Sequence, residues 1–261
     1  MRLIDSQAHL QAGAFSADAA EVLAAARAAG VERLLVPGYD LESSHAAVAL
    51  AERHVIDAAA GIHPHVAASS DEASWPSIEA VAANERVVAL GETGLDYDRG
   101  FSPREAQLAN LRRHLVLGRK LGKPAILHCR SKPGQRDAQD DLLREVEAAG
   151  RPAAVLHSFS GPVDYGERAL EMGLAISFSG LVFRAGEEAS ADVARIVPAD
   201  RLLVETDSPY LSPPGASRRR NEPRWVAITA HWLAEQRGVR PDELGEQLVA
   251  NYDAIFSRPP T

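Results

Sequence analysis

The chain has 261 residues, a net charge of −8 and one cysteine, Cys129. A single cysteine excludes an internal disulfide framework and a cysteine-rich zinc module, and it is typical of a reducing compartment. The negative charge argues against a basic surface that binds DNA along its whole length, because non-specific DNA binding is mostly phosphate neutralisation.

The pattern of the sequence predicts no targeting or membrane-spanning segment. Polar residues recur from Asp5 on, and no apolar run reaches the roughly 20 residues of a membrane span. We therefore expect a cytoplasmic protein. We also expect a monomer. The length and the 46% hydrophobic content indicate one α/β domain over residues 1–261.

Short aliphatic runs alternate with longer alanine-rich stretches along the whole chain. The predicted strands are Arg2–Asp5, Arg33–Pro37, Ile56–Gly61, Val87–Glu92, Ala125–His128, Ala153–His157, Leu174–Phe178 and Leu202–Glu205. They recur about every 29 residues, the size of one βα unit. Their apolar composition is typical of strands that are buried on both faces. The pattern predicts a closed (βα)8 barrel.

Amphipathic stretches between these strands predict helices. They include Ala17–Ala29, Glu42–Arg53, Pro103–Leu121 and Asp164–Met172, and several close on a glycine, a usual helix C-cap. A loop rich in Pro, Gly and Arg, Ser212–Pro223, leads into two final helices.

Chelating side chains follow the predicted strands at their carboxyl ends. In chain order they are Asp5, His9, His63, His65, Glu92, His128, His157 and Asp207. These ends converge on one rim of a (βα)8 barrel, where active sites are found. Imidazoles and carboxylates together are the ligands of a divalent cation. We therefore predict a metal site at this rim.

A structural role is the competing interpretation of each histidine. A single histidine at a strand end more often satisfies local hydrogen bonds than binds metal. We accept that interpretation for the four that lie in helical stretches, namely His45, His54, His114 and His231. For Glu92, His128, His157 and Asp207 the shared placement at four strand ends favours metal binding.

Six motifs, in register over nearly the whole chain, resemble those of the TatD family of metal-dependent hydrolases. They are Gly61–His65 (GIHPH), Gly91–Tyr97 (GETGLDY), His128–Arg130 (HCR), His157–Gly161 (HSFSG), Glu205–Leu211 (ETDSPYL) and Arg220–Pro223 (RNEP). The resemblance implies a TIM-type barrel and Mg2+-dependent hydrolysis of DNA phosphodiesters, often from a 3′ end.

The resemblance also implies roles for individual residues. The metal ligands would be Glu92, His128, His157, Asp207 and His9. The catalytic residues would be Asp207, Glu92 and Glu205, with Asp207 as acceptor of the water proton. Contacts to substrate would come from His63, His65, Arg130, Arg136, Arg220 and Asn221. One or two divalent ions are expected, Mg2+ first, with Zn2+ or Mn2+ as alternatives.

Two departures from the family pattern concern the rim. Gln7 stands where many members have the first histidine of an HxH pair, so one metal site is expected to be weakened. Ser131–Gln135 looks like an insertion after the fifth strand, which leaves open whether Arg130 or Arg136 takes the arginine role. Arg218, Arg219, Arg220 and Arg224 add positive charge to the loop after the eighth strand.

Two other functions remain open. The same barrel hydrolyses amides and esters, and D-aminoacyl-tRNA deacylation is a known activity of TatD-like proteins. A non-catalytic binding scaffold is the third hypothesis, and Gln7 is its only support. The retained Glu92, His128, His157, Glu205 and Asp207 count against it.

Overall fold

The structure is a computed structural model that describes residues 1–69, 74–217 and 219–256. Its eight strands follow one another in chain order. They are β1 Leu3–Asp5, β2 Val31–Pro37, β3 Asp57–Ala60, β4 Val87–Asp96, β5 Ala125–Arg130, β6 Ala154–Leu156, β7 Ala175–Phe178 and β8 Leu202–Val204. The predicted (βα)8 barrel is confirmed.

Helices follow the strands. They are α1 Ala19–Ala28, α2 Leu41–His54, α3 Trp75–Ala82, α4 Arg104–Leu121, α5 Asp137–Ala148, α6 Val163–Glu171, α7 Ala189–Ile196, α8 Val226–Arg237 and α9 Pro241–Ile255. The last two are the helices predicted after the loop Ser212–Pro223. Among the described residues, no helix is long and apolar enough to cross a bilayer.

The described chain forms two compact units. The first comprises Met1–Val36, Ser158–Leu170 and the described residues from Ala175 on; the second comprises Pro37–His157 and Glu171–Leu174. The single domain expected over residues 1–261 stays a prediction.

In the first unit, β1 pairs with β2 and β7 pairs with β8, all in parallel. The backbone N–H of Ser6 donates to the carbonyl of Val204 at 3.0 Å, and Ala8 forms a parallel bridge with Ser208. The segments that leave β1 and β8 are therefore joined through their backbones.

In the second unit, β3, β4, β5 and β6 pair in that order, all in parallel. All ten residues of β4 are buried, as expected for a strand that is covered on both faces. This strand extends four residues past its predicted end at Glu92, because Thr93–Asp96 pair with Leu127–Arg130 of β5.

Local signals account for the helix ends. At the start of α2, the Asp40 side chain accepts the Ser43 N–H at 2.7 Å and the Ser43 hydroxyl accepts the Asp40 N–H at 2.9 Å. This reciprocal capping satisfies two N–H groups that have no partner inside the helix. At the end of α4, Gly122 has φ 65°, the left-handed conformation that glycine adopts at low cost.

Candidate metal centre

The carboxylate of Glu92 is surrounded by imidazoles in the second unit. Its Oε1 atom lies 3.0 Å from His128 Nδ1, 3.0 Å from His157 Nε2 and 3.1 Å from His63 Nε2. Glu92 belongs to β4 and His128 to β5, while His157 directly follows β6. Parallel pairing of these three strands therefore brings together three residues that are far apart in sequence.

The donor atoms of this cluster fit a divalent cation. His128 Nδ1 and His157 Nε2 are 3.2 Å apart, and both face Glu92 Oε1. Ligand atoms of Glu92, His128 and His157 all lie within 4.8 Å of one another. Two imidazole nitrogens and one carboxylate oxygen are a common donor set for Zn2+ and related ions.

Glu92 is ionised in this environment. Burial alone would raise its pKa, because a charged group loses hydration when it leaves water. The neighbouring His157, His63 and His128 outweigh burial and hold the pKa of Glu92 well below its usual range. A buried carboxylate thus keeps its negative charge at neutral pH.

His63 is neutral and donates to Glu92. Burial lowers the pKa of His63 to about 4, despite the nearby carboxylate. Its Nδ1 atom accepts the backbone N–H of His65 at 3.1 Å. The ring proton must therefore reside on Nε2, the atom 3.1 Å from Glu92 Oε1.

A second carboxylate, Asp96, lies on the other side of His128. Its Oδ2 atom is 3.3 Å from His128 Nε2 and 2.6 Å from His65 Nε2. Burial lowers the pKa of His128, but hydrogen bonds with Asp96 and Glu92 outweigh it and raise this pKa overall. Asp96 was not predicted as a site residue, because the predicted strand ended at Glu92. Asp96 lies within the motif Gly91–Tyr97, which could have identified it.

In the first unit, His9 and Asp207 are neighbours. His9 Nε2 lies 3.3 Å from Asp207 Oδ1, and both side chains are largely buried. Asp207 has φ 52°, a left-handed conformation that aspartate adopts more readily than most residues. Its N–H donates to the carbonyl of Gln7 at 2.9 Å, which fixes this backbone.

Buried Asp5 holds the segment that carries Glu205 and Asp207. The Oδ1 and Oδ2 atoms of Asp5 accept the N–H and hydroxyl of Thr206 at 2.9 and 2.6 Å. Burial raises the pKa of Asp5 to about 8, although the bonds from Thr206 oppose it. Glu205 is fully buried, with Oε2 3.4 Å from the Ser6 hydroxyl. Its catalytic role stays a prediction.

Arg220 is engaged in ion pairs. Its guanidinium contacts Asp18 through two bonds of 2.9 and 2.8 Å and Glu222 at 2.8 Å. It also lies 4.8 Å from the ring centroid of Phe15. Substrate binding by Arg220 stays a prediction, and this geometry favours a role in holding the loop.

Asn221 is also part of the loop framework. It is fully buried, and its Nδ2 donates to the carbonyls of Thr206 and Tyr210 at 3.0 and 2.7 Å. These bonds tie the RNEP loop to the segment around Asp207. The predicted contact of Asn221 with substrate stays a prediction.

Arg130 and Arg136 lie on either side of the predicted insertion. Arg130 ends β5, is half-exposed and pairs with Asp98 at 2.8 Å. Arg136 directly precedes α5, and its Nε lies 3.7 Å from Asp140. Because both guanidinium groups reach the surface, both stay candidates for the arginine role. The predicted basic residue Arg218 lies outside the described residues.

The chain matches the family described as TatD related DNase over residues 4–257. The chain belongs to the TatD family. It is 36% identical over 263 residues to the 3′-5′ ssDNA/RNA exonuclease TatD of Cronobacter sakazakii, with 97% of each chain covered. It is 33% identical over 257 residues to YabD of Bacillus subtilis, described as an uncharacterized metal-dependent hydrolase, with 97% of this chain and 98% of YabD covered.

Solved structures of TatD proteins share the fold. The TatD homologue YJJV of Escherichia coli superposes with a TM-score of 0.87 at 29% identity, covering 99% of both chains. A TatD family hydrolase of Entamoeba histolytica gives 0.88 at 22% identity, again over 99% of both. The protein is thus a TatD-family metal-dependent hydrolase with a (βα)8 fold and a candidate His/Glu metal cluster.

Proposed function

We propose that this TatD-family hydrolase is a divalent-metal-dependent deoxyribonuclease that removes nucleotides from the 3′ ends of single strands. The observation that carries the proposal is the convergence of three imidazole nitrogens on Glu92 Oε1 within 3.1 Å. The name of the Cronobacter relative, a 3′-5′ ssDNA/RNA exonuclease, supports the choice of substrate.

Two groups of residues are the proposed metal ligands. Glu92, His128 and His157 would hold an ion, and His9 with Asp207 form a second candidate ligand pair. A bound divalent ion supplies a water of lowered pKa and neutralises charge on the phosphate oxygens. The two imidazoles favour Mn2+ or Zn2+ over the Mg2+ expected from the resemblance, because Mg2+ prefers oxygen ligands.

The remaining roles fall to side chains of the protein itself. His63 donates to Glu92 and keeps that carboxylate oriented as an anion. Asp96 bonds to His128 Nε2, which leaves Nδ1 directed toward Glu92. The carboxylate of Asp207 is the proposed proton acceptor, with His9 as its neighbour. Arg130 and Arg136 are the proposed phosphate contacts.

The test is digestion of 3′- and 5′-labelled single- and double-stranded DNA by metal-stripped protein, with Mg2+, Mn2+ or Zn2+ restored separately. We expect metal-dependent shortening of single strands from the 3′ end. Asp207→Ala should abolish it while the circular dichroism spectrum stays that of the folded chain. A small fall in thermal stability is expected, because alanine adopts the φ of 52° at position 207 less readily than aspartate. Asp192→Ala, an exposed carboxylate in the same unit, is the matched control and should retain activity.

Two outcomes would contradict parts of this proposal. Near-normal turnover by Asp207→Ala with normal metal content would remove Asp207 from the reaction. No cleavage of DNA or RNA with any of the metals, in protein shown to bind metal, would favour the ester or amide hydrolase. Release of D-amino acids from aminoacyl-tRNA is then the assay of choice.

A further inference from the structure

An aromatic side chain is exposed beside the candidate metal centre. Phe101 lies in the loop between β4 and α4, and 67% of its surface is accessible to water. Its ring meets the His65 ring edge-to-face, with centroids 4.9 Å apart. The His65 ring lies 6.1 Å from that of His128, a residue in contact with Glu92. Phe101 is therefore one imidazole away from the proposed ligands.

The loop that carries Phe101 is held from beneath by a buried glutamine. Gln107 Oε1 accepts the backbone N–H of Asp96 at 2.7 Å, and its Nε2 donates to the carbonyls of Asp96 and Ser102 at 3.1 and 2.8 Å. Gln107 is 1% exposed. One side chain thus joins both ends of the loop.

Further bonds fix the residues next to Phe101. Asp96 Oδ1 accepts the N–H groups of Asp98 and Arg99 at 3.1 and 2.9 Å. The hydroxyl of Ser102 donates to the carbonyl of His65 and accepts the N–H of Ala68, both at 3.0 Å. The exposed ring is therefore carried on a backbone fixed before any ligand arrives, which lowers the entropic cost of binding.

A cationic side chain on the same loop accompanies the ring. Arg99 is exposed, and within residues 1–69, 74–217 and 219–256 no carboxylate forms an ion pair with it. Arg130, by contrast, is paired with Asp98. The loop thus presents an aromatic face and a guanidinium two residues apart, which together suit the base and phosphate of one nucleotide.

We propose that Phe101 is a base-stacking residue that, with Arg99, binds a nucleotide of single-stranded nucleic acid next to the bond being cleaved. The proposal rests on the nuclease function proposed above. A stacking contact with Phe101 would favour single strands, because paired bases within a duplex already stack on their neighbours and offer no free face. An exposed phenylalanine that docks a protein partner is the competing interpretation.

The test uses metal-stripped full-length protein in EDTA, so that binding is measured without hydrolysis. Two fluorescent oligonucleotides are compared by anisotropy: oligothymidylate and a backbone of equal length built from abasic residues. We expect Phe101→Ala to weaken oligothymidylate binding on the order of 10-fold, and to leave binding of the abasic strand unchanged. Phe101→Trp should bind oligothymidylate at least as tightly as the original chain.

Matched variants separate stacking from charge and from general surface effects. Val116→Ala removes another exposed apolar side chain, 65% accessible on α4, and should leave both affinities unchanged. Arg99→Ala should weaken the binding of both oligonucleotides alike, and it should reduce the salt dependence of binding by about one phosphate contact.

Equal binding of oligothymidylate by Phe101→Ala and the original chain would overturn the stacking role. So would an equal loss for the abasic strand, because that loss would mean a disturbed loop. If the original chain cleaves DNA while Phe101→Ala binds normally, only this inference fails. If the original chain neither binds nor cleaves nucleic acid, the proposed function fails with it.

Discussion

Asp96 and His128 form the contact that orients the candidate metal centre. Asp96 Oδ2 is 3.3 Å from His128 Nε2, and the other nitrogen of the same ring is 3.0 Å from Glu92 Oε1. A carboxylate behind a ligand histidine fixes the ring's orientation and raises its basicity as a ligand. Hydrogen bonds from His128 and His65 outweigh burial and hold the pKa of Asp96 below its usual range, so this carboxylate is ionised at neutral pH.

We expect Asp96→Asn to weaken metal binding while the fold is kept. The amide has the same shape but no charge, so His128 loses the anionic partner at its Nε2 atom. Loss of a carboxylate that is hydrogen-bonded to a metal-binding histidine lowers metal affinity by about 10- to 100-fold. Isothermal titration of metal-stripped protein with Mn2+ and Zn2+ measures it, alongside thermal unfolding.

The matched control is Asp98→Asn on the same loop. Asp98 pairs with half-exposed Arg130 and, within the described part of the chain, forms no ion pair with an imidazole, so its loss should leave metal affinity unchanged. Equal affinities for Asp96→Asn and the original chain would remove Asp96 from the metal site.

The fold could be predicted because its signal is local and repeated. Buried strands of the barrel are apolar on both faces, and each is separated from the next by one helix. The prediction for β4 stopped at Glu92, since Thr93 and Gly94 resemble a turn in isolation. Pairing with β5 extends the strand to Asp96, and a pairing partner 34 residues away is not a local signal.

Some features of the candidate site could likewise be predicted from the sequence, and others could not. Glu92, His128 and His157 could be predicted to meet, because neighbouring parallel strands bring their ends together. The ion pair between Arg220 and Asp18 could not, because it joins residues 202 positions apart. Sequence motifs identify Arg220 but give no account of its partners.

We expect Gln7→His to tighten binding of Zn2+. Gln7 is buried between Asp5 and His9, and its carbonyl accepts the N–H of Asp207. An added imidazole beside the His9–Asp207 pair supplies a better ligand for Zn2+ than an amide. The expected gain is about 10-fold, or about 1.4 kcal/mol. Competition with a chromophoric chelator measures it.

His9→Gln provides the opposite change in the same segment and should weaken Zn2+ binding. Unchanged affinity in both variants would mean that this segment supplies no ligand. A gain for Gln7→His with no loss for His9→Gln would instead assign the site to residue 7 alone.

Arg220→Met should reduce stability rather than substrate affinity. The substitution removes charged hydrogen bonds to Asp18 and Glu222 and the contact with Phe15. We expect a loss of about 2 kcal/mol in the free energy of unfolding, because charge-assisted bonds that are partly buried contribute on that order. Urea denaturation and the KM for an oligonucleotide are the two measurements.

Asp18→Asn removes the charge of one of the two carboxylate partners of Arg220 and should reproduce part of the stability loss. Arg219→Met, at the exposed neighbouring position, should leave stability unchanged. A raised KM for Arg220→Met without loss of stability would support the substrate contact that the sequence predicts.

His114 makes the stability of the protein depend on pH. It is fully buried in α4, its Nε2 accepts the N–H of Ile62 at 3.1 Å, and its Nδ1 donates to the carbonyl of Asn110 at 2.8 Å. Burial lowers its pKa from 6.5 to about 4. Below pH 6.5 the imidazole of His114 is protonated in the unfolded chain but stays neutral in the folded chain until the pH nears about 4. The free energy of unfolding therefore falls as the pH falls from 6.5 toward about 4.

We expect this histidine to cost about 2 kcal/mol of stability between about pH 7.5 and about pH 5. His114→Gln should be less stable at the higher pH, because an amide cannot reproduce both ring bonds, yet its stability should fall less on acidification. Urea denaturation at the two pH values measures this. His45→Gln, an exposed position on α2, should retain the original pH dependence. Parallel stability curves for His114→Gln and the original chain would show that another group carries the pH dependence.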